Sequence, residues 1–177
     1  MPKPTSRFFQ RRILTILILG FGNPDRQDDG VAWHVLRELM VSYGLPKPET
    51  LDIDDFQSVK GVHFLFQLQL LPEIADDLNK YDRAVFIDAH TGAVPLNVNV
   101  KEVKPEFQNS PLTHHLTTNS LLAIAQNIHN KHPHSILISI RGYEFAFSQE
   151  LSSQTQELVD IAVTTIQNWI RKTAVAG

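Results

Sequence analysis

Apolar residues in this chain form two kinds of run, continuous and periodic. Ile13-Leu14-Thr15-Ile16-Leu17-Ile18-Leu19, Ala84-Val85-Phe86-Ile87 and Ile136–Ile140 are apolar at nearly every position. Such runs predict strands covered on both faces, as in a parallel sheet held between helices. Val62–Leu70 and Leu96–Val103 alternate instead, predicting strands with one buried face. In the first of these, Val62, Phe64, Phe66, Leu68 and Leu70 share a side; Pro95 and Pro105 bracket the second and place it at an edge. Glu49–Phe56 reads as one more short strand.

The helical stripes are equally plain. Val31, Val35, Leu36, Leu39, Met40 and Tyr43 recur at helical spacing and stop at Gly44 and Pro46. Pro72-Glu73 starts a short helix to about Asn79. Thr117 or Thr118 caps a third through Leu121, Leu122, Ile124, Ala125 and Ile128. Ser153-Gln154-Thr155-Gln156 reads as a capping box opening the last helix, with Leu158, Ile161, Ala162, Thr165, Ile166, Trp169 and Ile170 as its stripe. The order β-α-β-β-α-β-β-α-β-α predicts a single three-layer α/β/α domain with a mostly parallel twisted sheet flanked by helices. It spans residues 12–172, between a basic tail at 1–11 and a short tail at 173–177.

Composition narrows the classes. A chain of 177 residues is long enough for one self-sufficient core. It has no cysteine, which excludes a disulfide framework, a thiolate metal site and a cysteine nucleophile. A net charge of −3 argues against a general nucleic-acid binder. Lys3, Arg7, Arg11 and Arg12 ahead of Ile13–Leu19 have the outline of an export signal. The run is short, however, lacks a small-x-small cleavage site, and leads into the polar loop Asn23–Asp29. It reads as a strand. No run approaches the roughly 20 apolar residues that span a bilayer, so a cytoplasmic protein without membrane contact is expected. A monomer is expected too.

Ligands of open α/β sheets bind beyond the carboxyl ends of the strands. There the chain carries Gly20-Phe21-Gly22-Asn23-Pro24-Asp25-Arg26-Gln27-Asp28-Asp29-Gly30, then Asp88-Ala89-His90, and ahead of the third helix Thr113-His114-His115. Carboxylates and imidazoles from three stretches suit a divalent transition metal. Each has a plainer reading: Asp28-Asp29 as helix-capping acids, Asp88 as a turn residue, His114-His115 as a solvated loop. Asp25 stands where a dinucleotide fingerprint needs its third glycine. Glu144, after Arg141-Gly142-Tyr143, is either a further cleft residue or a simple turn. His129–His134 reads as a solvated loop, and Trp33 and Trp169 as packing residues. No G-x-S-x-G elbow and no Walker A pattern occurs.

Leu19-Gly20-Phe21-Gly22-Asn23 with Asp28-Asp29-Gly30 resembles the N-terminal signature of the hydrogenase maturation proteases. Gln69–Ala75 ahead of Val85–Ala89, Thr113-His114-His115-Leu116 with Leu121-Leu122, and Arg141–Phe145 with Leu151-Ser152 continue that resemblance in order, from about Arg12 to Trp169. It implies an endopeptidase that trims the C-terminus of the large-subunit precursor of a nickel–iron hydrogenase. It also implies that Asp29, Asp88 and His114 act as nickel ligands and catalytic residues, with His115 open as the alternative to His114. Asp29 departs from members with glutamate there, and Phe66–Gln69 departs from those with a Gly-Gly-Thr stretch. The nickel would arrive with the precursor, whose thiolates supply the soft ligands this chain lacks. Two other classes remain open: a small-molecule or nucleotide binder using the Gly20–Asn23 turn, and a non-catalytic maturation chaperone.

Overall fold

The computed structural model describes residues 14–49, 57–107 and 116–175. In chain order the elements are β1 (Ile16–Phe21), a 3-10 turn (Gln27–Gly30), α1 (Val31–Ser42), β2 (Gln57–Val59), β3 (Val62–Gln67) and α2 (Ile74–Leu78). They continue with β4 (Arg83–His90), β5 (Val98–Val103), α3 (Thr118–His129), β6 (His134–Arg141) and α4 (Ser153–Val175). One six-stranded sheet runs β2-β3-β1-β4-β6-β5. Its four inner strands are parallel, and the two edge strands β2 and β5 pair antiparallel.

The continuous apolar runs build two cores at once, because successive side chains on a strand face opposite ways. Ile16 and Ile18 pack with Val35, Leu36 and Leu39 of α1 and with Leu158, Ala162 and Ile166 of α4. Leu17 and Leu19 pack on the other face with Ala75 and Leu78 of α2 and Leu121, Leu122 and Ala125 of α3. Burial of each Leu or Ile contributes about 1.5–3 kcal/mol, so a strand apolar throughout is anchored from both sides. The three-layer architecture is the one the periodicity predicts.

Several local expectations are corrected. Leu65 joins the α2/α3 core, so β3 is buried on both faces, as an inner strand of a helix-covered sheet must be. Leu68 has left the strand and is 53% exposed. Ile128 and Ile161 sit at 58% and 52% exposure. Val159 takes the core position near Ile161, so the α4 stripe is rotated from the expected one. The hydroxyl that caps α4 belongs to Ser152, which accepts from the Thr155 N–H at 3.3 Å, rather than to Ser153. Thr117 caps α3 by accepting from the Ser120 N–H at 3.2 Å. Helix α4 spans Ser153–Val175. The strand expected at Glu49–Phe56 lies almost wholly outside the described residues, and so does the basic tail. No helix among the described residues is long and apolar enough to cross a membrane.

The sheet order places the site. From β1 the chain crosses through α1 to β2 and β3 on one side, while β4 lies on the other side of β1 and leads outward to β6. The loops leaving β1 and β4 therefore diverge, and a crevice opens at the carboxyl ends of these two strands.

Candidate active-site cleft

That crevice is an open cleft of about 1130 Å³. Its floor carries Phe21, Gly22 and Asp29 from the loop after β1 and Asp88-Ala89 from the end of β4. Leu68–Pro72 form one wall, and Thr117–Ser120 of α3 with Lys101 of β5 form another. Two of the three residues singled out for chemistry thus meet. His114, like His115, lies outside the described residues. The described chain resumes at Leu116, which also lines the cleft. No group of three metal-ligating side chains occurs among the described residues.

Asp29 reaches the floor because the preceding loop is tightly folded. Asn23 Oδ1 accepts from the Asp25 N–H at 3.0 Å, and the Asn23 N–H donates to Asp29 Oδ2 at 2.8 Å. Gly22 adopts φ +138°, and a Cβ there would stand 2.2 Å from the Asp29 carbonyl oxygen. Only glycine tolerates both the angle and the approach. Gly22→Ala should therefore lower the melting temperature and displace Asp29. A loss of about 2 kcal/mol or more in urea unfolding is expected from a strained, overpacked backbone, and unchanged stability would refute this account of the loop.

Asp88 lies two residues before the end of β4 and faces the α2/α3 side, two residues beyond the buried Phe86. Burial pushes its carboxyl up, the Ala89 N–H at 2.8 Å opposes this, and the nearby Asp29 charge raises it further, to about 7. Asp29 and Asp88 line the same cleft, and Lys101 lines it as well.

Asp28, next to Asp29, points the other way. It is fully buried. Its carboxylate accepts from the backbone N–H groups of Tyr143, Glu144 and Ser152 at 2.7, 2.9 and 2.8 Å. The hydroxyls of Ser152 and Thr155 each donate to it at 2.7 Å. Burial works against ionisation, but donors from Thr155, Glu144, Ser152 and Tyr143 outweigh it and hold the carboxyl below its usual range. The helix-cap reading of Asp28-Asp29 therefore fails: Gly30 stands at the N-cap of α1 without a side-chain cap bond, and Asp28 ties residues more than 110 positions away. Glu144 does not line the cleft. Its carboxylate accepts from Gln27 Nε2 at 2.8 Å, and Gln27 Oε1 accepts from the Ala146 N–H at 3.1 Å. Gln27 holds φ +51° inside this strap, a strained angle that such bonds maintain.

The cleft residues missed by sequence reasoning are Lys101, Phe107 and the walls at 68–72 and 117–120. None carries a local signal, since they meet only when β5, α3 and the β3–α2 connection fold over one sheet face. Trp33 packs on Phe66 with ring centroids 5.5 Å apart, and Trp169 joins the same core.

Fold and cleft together define an open α/β domain with an acidic site at its switch point. No protein-family model matches the chain, and no curated protein does. Solved structures do. The hydrogenase maturating endopeptidase HybD from E. coli superposes with a TM-score of 0.68 at 15% identity, covering 90% of this chain and 94% of that one. The NiFe hydrogenase maturation protease HycI from Thermococcus kodakarensis gives 0.59 at 17% identity, over 86% and 89%. The hydrogenase 2 maturation peptidase from a Thaumarchaeota archaeon gives 0.58 at 21%, over 88% and 97%. The chain has the fold of these proteins over nearly its whole described length.

Proposed function

We propose that this chain is a hydrogenase maturation endopeptidase, removing the C-terminal extension from the large-subunit precursor of a nickel–iron hydrogenase. The observation that carries the reading is the convergence of Asp29 and Asp88 on one cleft at the switch point. The likeness to solved maturation peptidases in fold supports it. A site with two acids on its floor favours a cation and repels a phosphate, which disfavours a nucleotide at the Gly20–Asn23 turn.

The nickel belongs to the substrate. Asp29 and Asp88, with His114 or His115, would add oxygen and nitrogen ligands to a metal the precursor already holds through its own thiolates. Such donors suit a divalent transition metal, but a set without thiolates holds nickel weakly by itself. Docking then depends on metal loading, so an empty precursor is rejected for want of the shared ligand. Hydrolysis adds water to the scissile carbonyl carbon and breaks the C–N bond. The water oxygen remains on the new carboxylate, and a proton goes to the departing amine. A carboxylate on the floor can accept the proton of the attacking water, and the metal can polarise the carbonyl.

With catalytic amounts of protein, mass spectrometry should show the nickel-loaded precursor shortened and the nickel-free precursor intact. A loaded precursor that stays full length, while still forming a complex, would replace the enzyme with a maturation chaperone. Cleavage of both forms would remove nickel from recognition.

A further inference from the structure

We propose that Phe147 anchors a docking surface for the folded body of the protein whose chain end enters the cleft. The partner receives the ring in an apolar pocket bordered by basic side chains. The proposal rests on the peptidase reading above, which identifies that partner as the large-subunit precursor. Phe147 lies in the connection from β6 to α4 and is 90% exposed. The next most exposed large apolar side chain among the described residues is Leu96, at 59%. A lone apolar side chain at a surface is ordinary. Three further observations set this one apart: the rigidity of its support, its place beside the cleft, and the charges around it.

The backbone on both sides of Phe147 is tied to the β1–α1 loop. The Ala146 N–H donates to Gln27 Oε1 at 3.1 Å. The Gln27 N–H donates to the Ser148 carbonyl at 2.7 Å, and the Ser148 N–H donates to the Asp25 carbonyl at 3.2 Å. Gln149 Nε2 donates to Asp25 Oδ1 at 2.6 Å. The ring is therefore presented from a fixed support, and an aromatic side chain ordered in advance loses little freedom on binding. Interface hot spots are aromatic anchors of this kind. The support also leads to the cleft. From Gln149 a chain of hydrogen bonds runs through Asp25 and Asn23 to the carboxylate of Asp29. Strands β1, β4 and β6 are parallel, so the connection leaving β6 stands at the same carboxyl edge as the cleft. A protein that feeds its chain end to Asp29 and Asp88 meets the strap. Asp25, Glu144 and Glu150 are exposed there against Arg26, an acidic border that favours basic groups on the partner.

Processing of the nickel-loaded precursor by Phe147→Ser, Phe147→Leu and Ile128→Ser tests this. Ile128 is the control: it is exposed near the end of α3, which leads into the amino end of β6, the opposite edge of the sheet. Phe147→Ser should raise KM about tenfold or more with kcat kept, and Phe147→Leu should recover part of the loss. Ile128→Ser should change neither. An unchanged KM in Phe147→Ser overturns the proposal and leaves the peptidase reading standing. An equal rise in Ile128→Ser overturns it as well. Glu150→Lys should raise KM about threefold at low salt and lose that effect at about 0.5 M salt; no salt-sensitive rise overturns the basic border. If the parent binds the precursor without cutting it, Kd by surface plasmon resonance replaces KM. A tenfold rise in Phe147→Ser then keeps the docking surface while the peptidase reading fails. A parent that neither binds nor cuts the precursor overturns both. Sedimentation tests the other occupant, a second copy: a parent dimer split by Phe147→Ser overturns the proposal. The Tm of Phe147→Ser should match the parent, and a fall of several degrees would make Phe147 a packing residue instead.

Discussion

Asp28→Ala should unfold at much lower urea than the parent, with stability reduced by about 4 kcal/mol or more. The carboxylate receives five hydrogen bonds, three of them from backbone N–H groups that would be left buried and unpaired. Each orphaned buried group costs about 1–3 kcal/mol, and bonds to a charged acceptor are the stronger kind. Asp28→Asn should recover only part of this, because an amide offers one acceptor oxygen where the carboxylate offers two. Asp29→Ala is the control. It loses one bond from the Asn23 N–H and should cost about 1 kcal/mol. Equal losses from the two neighbours would show that the Asp28 cluster is not what ties the β1–α1 loop to residues 141–155. Acid should act in the same direction. The folded carboxyl is held below its usual range, so its contribution is present above the ordinary carboxylate pKa and disappears as pH falls through the folded value.

Asp88→Asn should move activity and stability in opposite directions. The folded carboxyl titrates near 7 against an ordinary value of 3.8, so folding favours its protonated form. The penalty for ionising it is absent below about pH 3.8, grows as pH rises, and is complete above about 7. A neutral amide escapes that penalty. At pH 8 the variant should be more stable than the parent by about 2–4 kcal/mol, the full shift reduced for contact with solvent in the cleft. By pH 5 most of the gain should be gone. Calorimetry at the two pH values checks this, and a gain independent of pH would show that packing, not ionisation, is the cause. Processing of the nickel-loaded precursor should meanwhile fall by at least about 100-fold, as for loss of a metal ligand or a proton acceptor. A variant that is stabilised but processes normally would remove Asp88 from the site.

Three acids of this chain look alike in the sequence. Asp28, Asp29 and Asp88 each follow an apolar run near a turn, and the periodicity that located the strands places all three at the same sheet edge. What each carboxylate faces depends on segments far away. Asp28 is latched by residues 143, 144, 152 and 155, and those partners announce themselves locally only as Ser152 and Thr155 near a helix start. The cap of α4 falls one residue before the expected Ser153 for a related reason: Ser152 and Ser153 both suit the position, and the Ser152 hydroxyl also reaches Asp28. Glu144 likewise stands where a cleft residue would, until Gln27 claims it.

The layers and the order of elements are legible in the local pattern of apolar positions. Strand and helix periods are local, and short continuous apolar runs rich in Ile, Val and Phe fit a sheet covered on both sides. The sequence also marks Asp29, Asp88 and His114 as candidates, the first two because strand ends in such a sheet are where ligands go. Which of two adjacent aspartates looks into the cleft and which holds the loop in place depends on distant contacts. The same contacts bring Lys101 and the start of α3 into the walls. Those outcomes follow from strand order and from contacts more than a hundred residues apart, and a carboxylate carries no local mark of which buried donors will reach it.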